Sequence, residues 1–460
     1  MSATEQLSVV DRAWLLMDRP ANPMMIVGLI VFATPVERAV LRDLITRRFL
    51  IHRRFLCVPV SHSTGGSWVE AGEFDIDDQV LCHALPAPAG QRELESLVGE
   101  LASTPFSSGR PLWSFHLIEH YGQGSALIVR IHHSYADGVA LLQVLLSLAD
   151  RELQAGGARA RRSKHSAIRA AGADISSGWP SGPELTEQAI HLALHPLEAS
   201  TLLRKTLGLA GELARVGLLS ADPQTRLKRP LSGIRHVAWA EPLSFPEIRT
   251  LSHVLGCTVN DILMSTLAGA LGRYLEARGD FVSGMTIRAA VPVNLRTEEM
   301  PSTLGNYFGL VFVELPIGIR HPLERLYTVR TAMQNLKGSQ QALVTLGLLA
   351  LIGSLPAAAE EPMIALFSAK ASLVASNLRG PTTPLRIAGA RVSQVLFWVP
   401  QAGDIGIGVS MLSYDGQVQF GIMADRHLIP KPAEMIREIA IEFERLVLLL
   451  LLGGAASMPA

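Results

Sequence analysis

The chain has 460 residues, of which 48% are hydrophobic and only 18% charged, and its 41 Lys+Arg balance 41 Asp+Glu. That composition excludes a disordered chain, and the neutral balance gives no global pull toward nucleic acid. The length suggests two or three domains around a large core, and a mean hydropathy of +0.27 calls for either a membrane span or apolar surface put to use.

Residues 26–33 are apolar and β-branched and predict a buried strand, followed by a helix over 36–48. Short strands are expected at 67–69 and 80–85, a helix over 94–103, a strand at 125–131 and a helix over 139–148. Composition shifts after Asp150. Residues 151–182 carry Gly156-Gly157, a basic cluster (Arg159, Arg161, Arg162, Lys164) and a Ser/Gly/Pro-rich run, which together read as a linker or loop. The cluster is either a solvated loop or a contact for phosphate or lipid headgroups. Residues 184–220 read as helical. A second series then begins: a strand at 235–239, helices at 246–255 and 260–277, and strands at 286–291 and 310–315. It continues with a helix at 323–336, strands at 371–376, 394–397, 406–413 and 418–423, and a final helix over 432–452. The class is therefore α/β (α+β), with mixed sheets flanked by helices. The expected division is 1–150, a loop and helical linker over 151–230, and 231–460.

The apolar runs 342–355 and 446–452 fall short of the roughly 18–20 residues that cross a bilayer. The first reads as a buried helix, with a membrane- or droplet-docking face as the alternative, and the second as the end of a core helix. The N-terminus has no basic segment followed by an apolar one, so no secretory signal is expected. Cys57, Cys82 and Cys257 form no Cys-x-x-Cys pair. Neither a disulfide framework nor a thiolate metal site is expected, and a reducing compartment is. Glycine-rich 403–408 has β-branched neighbours and no following helix, so it reads as a strand rather than a dinucleotide loop.

The stretch that carries chemistry is Ile131-His132-His133-Ser134-Tyr135-Ala136-Asp137-Gly138, lying between a strand and a helix. Neighbours on a strand point to opposite faces, so one histidine can face a cavity while the other packs into the framework. The same geometry disfavours a shared metal ion. Histidine titrates nearest neutrality, which suits a general base. Asp137 can return across the turn to fix the loop, and Gly138 is expected to adopt a backbone conformation closed to other residues.

This stretch resembles the signature of chloramphenicol acetyltransferase and of peptide-synthetase condensation domains. The chain as a whole more closely resembles the bacterial wax ester synthase/diacylglycerol acyltransferase family. The likeness runs through Leu7-Ser8 with Asp11, Ile26-Val27-Gly28, Trp68 with Phe74-Asp75 and His83, and Pro111-Leu112-Trp113 with Ile118-Glu119. It continues in order through Thr258-Val259-Asn260-Asp261, Gly305-Asn306, Leu315-Pro316, Ser376-Asn377 with Gly380-Pro381, and Ser413-Tyr414-Asp415-Gly416. Two departures stand out. Leu378-Arg379 replaces the family's usual Val-Pro, and Met25 follows Met24 where the family often has His.

The resemblance implies two chloramphenicol-acetyltransferase-like domains joined by a crossover, with a tunnel at their interface. The implied reaction moves a long-chain acyl group from acyl-CoA, a co-substrate, to a fatty alcohol or a diacylglycerol, with no other cofactor and no metal. His133 would be the general base and His132 its support. Asp137 would hold the loop by pairing with an arginine, and Asn260 would orient groups near the site. Gly138, Asp261, Pro111, Leu112, Trp113, Ser376 and Asn377 would form the structural surround. A cytoplasmic enzyme resting peripherally on a membrane or lipid droplet is expected. The alternatives are an acyltransferase acting on another small or carrier-bound acceptor, and a non-catalytic lipid-binding protein.

Overall fold

A computed structural model describes residues 5–62, 65–150, 207–296 and 304–455. The basic cluster 159–164 lies outside the described residues. The first half runs β1 (Glu5–Gln6), α1 (Val9–Met17), β2 (Met25–Phe32), α2 (Arg38–Arg48), β3 (Cys57–His62), β4 (Gly65–Glu70), β5 (Val80–His83) and α3 (Gln91–Ser103). It ends with β6 (Trp113–Tyr121), β7 (Gly124–His132) and α4 (Gly138–Ser147). After α5 (Leu207–Leu218) come β8 (Arg235–Trp239), β9 (Leu243–Ser244), α6 (Phe245–Val254), α7 (Val259–Glu276), β10 (Ile287–Asn294) and β11 (Phe308–Leu315). Three helices follow, α8 (Pro322–Lys337), α9 (Gln341–Ser354) and α10 (Ala357–Ser368). The chain closes with β12 (Leu373–Arg379), β13 (Arg386–Ile387), β14 (Ala390–Trp398), β15 (Ile407–Tyr414), β16 (Gln417–Asp425) and α11 (Pro432–Ala455).

Two large mixed sheets carry the fold. One has the order β13-β14-β2-β7-β6-β5, and the other the order β11-β10-β12-β15-β16-β8, with β9 also on β16. A small sheet, β1-β4-β3, stands apart. β2 and β7 are buried at every position, as expected of central strands covered on both faces. One sheet takes strands from both sides of the division expected at residues 150 and 230: β14, from the C-terminal part, pairs along β2 from Val392↔Phe32 to Trp398↔Val27. One apolar cluster packs Val139 and Leu378 with Phe312 and Phe397, joining strands and helices from both sides of that division.

The apolar run 342–355 is helix α9, and most of its side chains are buried. It crosses α1 so closely that a Cβ at Gly353 would fall on the Val9 carbonyl. The buried Arg12 caps its end, donating to the carbonyls of Gly353 at 2.5 Å and Leu355 at 3.1 Å. That contact supports the buried-helix reading of 342–355, with Leu351 the large side chain left exposed, at 38%. The leucine run at the end of α11 divides instead: Leu446 is buried, whereas Leu451 and Leu452 are 65% and 69% exposed. The core reading therefore holds for Leu446, with Val447 and Leu450 packed against the same cluster, and not for the last two leucines. In the glycine-rich stretch the strand begins at Ile407, because Gly403 turns the chain with φ +59°.

Among the described residues, no single helix is long and apolar enough to cross a membrane. The bent pair α6–α7 passes on composition alone, at an angle of 101°. α7 is buried along most of its length among core side chains.

Candidate active site

β7 delivers His132 as its last residue, and the chain turns immediately into α4. The turn is gripped from both neighbouring strands. His132 N–H donates to Leu112 O at 2.9 Å, and His133 N–H donates to Met24 O at 2.8 Å. The Tyr135 hydroxyl donates to Cys57 O and accepts from Leu112 N–H at 3.0 Å. Trp113 extends the grip through Nε1, donating to Phe55 O at 2.8 Å. Pro111-Leu112-Trp113 thus buttresses the turn and does not line the cavity.

The two histidines part company here. His133 lines a cavity of about 1170 Å³ of empty space, open mouth included, and His132 does not. His132 instead folds onto its own turn, with Nδ1 2.9 Å from Ser134 Oγ and accepting from Ser134 N–H at 3.1 Å. Its Nε2 lies 3.8 Å from Asp18 Oδ2. Burial pushes its pKa down to about 3, with His133 adding to the effect. Burial also holds His133 down to about 4, opposed by Asp137, its own backbone carbonyl and Asn306. Both imidazoles are therefore neutral near pH 7, and a neutral imidazole can accept a proton.

Asp137 is buried and fully engaged. Oδ1 accepts from Ala140 N–H at 2.9 Å, capping α4. Oδ2 accepts from Arg296 Nη2 and from Tyr307 N–H, both at 3.0 Å. Arg296, two residues past the end of β10, is the arginine that the sequence left unidentified. Gly305 shares the clamp, its carbonyl accepting from Arg296 Nη2 at 2.7 Å and from Asp137 N–H at 3.2 Å. Its φ of +137° is what this hairpin needs from a glycine. Gly138 needs no such freedom, which corrects the reading from sequence. Its φ is not positive, and a Cβ there would meet Leu378 Cδ1 at an ordinary 3.7 Å. Being helix N1 beside a capping aspartate, it borders the cavity without filling it.

The second half supplies Asn377, Ser376 and Asn294 to the cavity wall. Asn260 stands behind them: its Oδ1 accepts from Asn377 Nδ2 at 3.2 Å, and it does not line the cavity itself. Asp261 is buried in the capping box of α7, exchanging bonds with Thr258 at 2.8 and 3.1 Å. Most of the remaining wall is hydrocarbon, including Phe308, Phe312, Ile364 and Phe367. Among the described residues no group of three or more His, Cys, Asp or Glu is placed to hold a metal ion.

The sequence alone gave no role to Trp14, Arg296, Asn306 or Phe308. Asn306 Nδ2 donates to His133 O at 2.9 Å and to Asp11 Oδ1 at 2.8 Å, so it fixes the backbone of the turn. Asp11 is fully buried, and burial pushes its pKa up to about 6 against the pull of Arg54. Asn306 and Asp11 each lie in a stretch that carries the family resemblance, whereas Trp14 and Arg296 carry no local signal.

The profile of the wax ester synthase/diacylglycerol acyltransferase catalytic domain matches residues 7–263, and that of the WS/DGAT C-terminal domain matches residues 304–447. A probable diacylglycerol O-acyltransferase of Mycobacterium tuberculosis is 28% identical over 394 residues, covering 83% of this chain and 81% of its own. Another from the same organism is 27% identical over 455 residues, covering 91% and 94%. The fold is similar to that of a wax ester synthase/diacylglycerol acyltransferase from Marinobacter aquaeolei, with a TM-score of 0.70, 22% identity and coverage of 96% and 99%. It is also similar to the first condensation domain of the calcium-dependent antibiotic synthetase, with a TM-score of 0.58, 13% identity and coverage of 97% and 96%.

Proposed function

The chain belongs to the wax ester synthase/diacylglycerol acyltransferase family, and from that premise we propose that it moves a long-chain acyl group from acyl-CoA to the hydroxyl of a fatty alcohol or a diacylglycerol. The observation that carries this reading is a buried, neutral His133 facing an apolar-walled cavity, held there from both halves of the chain. The imidazole takes the hydroxyl proton as the alcohol oxygen attacks the thioester carbonyl. The tetrahedral intermediate collapses by breaking the C–S bond, and the imidazolium returns its proton to the departing CoA thiolate. Ester and free CoA leave, with no acyl-enzyme and no resident cofactor. The apolar walls disfavour water, which would otherwise divert the thioester to free acid. Asp137 and Arg296 keep the turn in register, while Asn260 orients Asn377 at the wall.

Peripheral attachment to a membrane or lipid droplet, from the cytoplasmic side, belongs to the same proposal. Its support is the exposed end of α11, where Leu448, Leu451 and Leu452 face outward. The deciding experiment offers palmitoyl-CoA with hexadecanol and dipalmitoylglycerol together, and follows both thiol release and the lipid products. Wax ester, triacylglycerol or both are expected. Thiol release that yields only free palmitate would sink the proposal.

A further inference from the structure

His133 is paired with a ring that the reaction as described does not use. Trp14, on α1, stacks on the His133 imidazole with ring centroids 4.0 Å apart and planes 25° from parallel. Phe308 backs the pair, stacked on Trp14 at 5.8 Å and tilted against His133 at 5.5 Å. Trp14 and His133 are both only 5% exposed, so the stack is screened from water. The indole cannot slide away, because α1 is pinned against α9 through Arg12 and Gly353.

We propose that Trp14 is a positioning residue for the acyl transfer: its π face holds the His133 ring in one plane and stabilises the imidazolium that forms when the base takes the hydroxyl proton. The proposal rests on His133 being that base. A cation over an indole face is attracted to the ring, most strongly when desolvated, whereas a neutral imidazole gains only the stacking. The contact is therefore stronger after proton transfer than before it, which is the condition for accelerating the chemical step.

Among the described residues Asp137 is the carboxylate whose charge favours the imidazolium, and its pull is divided. Asp137 is taken up by Arg296 and the N-terminus of α4. Asp11 reaches the turn through Asn306 and through Arg54, which lies 3.5 Å from it and donates to Tyr135 O at 3.1 Å. Asp18, after α1, faces His132. His132 itself, if charged, would oppose a second cation beside it. Burial already holds His133 well below its ordinary pKa, so a neighbour that favours the charged form restores base strength that burial has removed.

The test replaces Trp14 site-specifically with mono- to tetra-fluorinated tryptophans. These keep the shape of the ring and progressively drain its face. Turnover, KM for acyl-CoA and the acid limb of the pH–rate profile are measured for each, beside Trp14→Phe and Trp14→Leu. The expected result is a stepwise fall in kcat to about one tenth across the series. KM and melting temperature should stay constant, and the acid limb should move to lower pH as the imidazolium loses support. Trp14→Phe should keep most of the rate and Trp14→Leu should not. A flat fluorine series would overturn the proposal, as would a fall in kcat with no movement of the acid limb, which would mark packing alone. If His133→Ala keeps its turnover, the base assignment has failed, whatever the fluorine series shows.

Discussion

Two turns in this molecule are built alike and do different work. β6 and β7 form a tight hairpin whose second strand runs through a short turn into α4, and β15 and β16 do the same into α11. Each turn carries a buried aspartate and a histidine. In the first, Asp137 is clamped by Arg296 and Tyr307 from the other half, and His133 lies under Trp14 against the cavity. In the second, Asp425 accepts from Ser232 and Gly233 N–H at 2.9 Å and from His427 N–H at 2.8 Å, stitching only its own surroundings. His427 is exposed, its Nδ1 3.3 Å from Pro230 O. The strand, turn and helix position a side chain. What packs over the turn decides whether that side chain can do chemistry.

The largest effect that tests this contrast is on rate. His133→Ala should lower kcat by about 10²–10⁴ with its melting temperature little changed, because a general base contributes about that much. His427→Ala, an exposed position, should leave turnover intact and stability within about 0.5 kcal/mol. Turnover beside calorimetry decides it, and a folded His133→Ala with near-normal turnover breaks the comparison. His132→Ala should cost less rate and more stability, since its ring fills its own turn.

Next in size are the aspartates. Asp137→Asn removes the carboxylate charge from the buried clamp with Arg296, and one-sided loss of a buried pair costs about 3–5 kcal/mol. Activity should fall with it, measured as kcat on the folded fraction. Asp425→Asn should lower the melting temperature while the folded enzyme keeps its turnover. Equal loss of kcat in both variants would show that the two turns are not functionally distinct.

Acidification should sharpen the picture. His132 and His133 bind protons more weakly folded, at about 3 and 4, than their ordinary 6.5. As pH falls from 6.5 to 4 the unfolded chain takes up those protons first, so stability is lost across that window. Asp11, raised to about 6, works the other way between pH 6 and 4 because it takes its proton more readily when folded. Asp18, Glu95, Asp222 and Glu360, also raised by burial, side with Asp11, while His116, held down to about 3, sides with the two histidines. The histidine shifts are the larger, so melting temperature should drop from pH 6.5 to 4, and His132→Phe should flatten the fall. A melting curve independent of pH over that range would contradict the burial of both rings.

The smallest effect belongs to Asn260. It meets the cavity only through Asn377, so Asn260→Ala should lower kcat a few-fold, and Asn377→Ala should lower it more. The reverse order would place Asn260 itself against substrate.

Much of this was legible along the chain. The buried strands announced themselves by uninterrupted β-branched runs, and α7 by an apolar period opened with Thr258 and Asp261. α1 and α10 were not foreseen, and neither was β14 as a strand of the N-terminal sheet. α1 is nine residues long and contains Asp11 and Arg12, both buried, so its pattern reads as broken until their partners are known. Gly138 was misread because a glycine after an aspartate suggests a strained turn, whereas here the aspartate caps a helix.

The sequence by itself determined most of the elements, the residue types of the site and their place at a strand end, because periodicity and caps are properties of neighbours. Only tertiary structure decided that Arg296 meets Asp137 across 159 positions, that Asn306 holds His133 across 173, and that Trp14 covers the base. Nothing local to those residues constrains such contacts. They follow from how two sheets and the helices between them close on one cavity, and the same closure turns an apolar run such as 342–355 from possible surface into core.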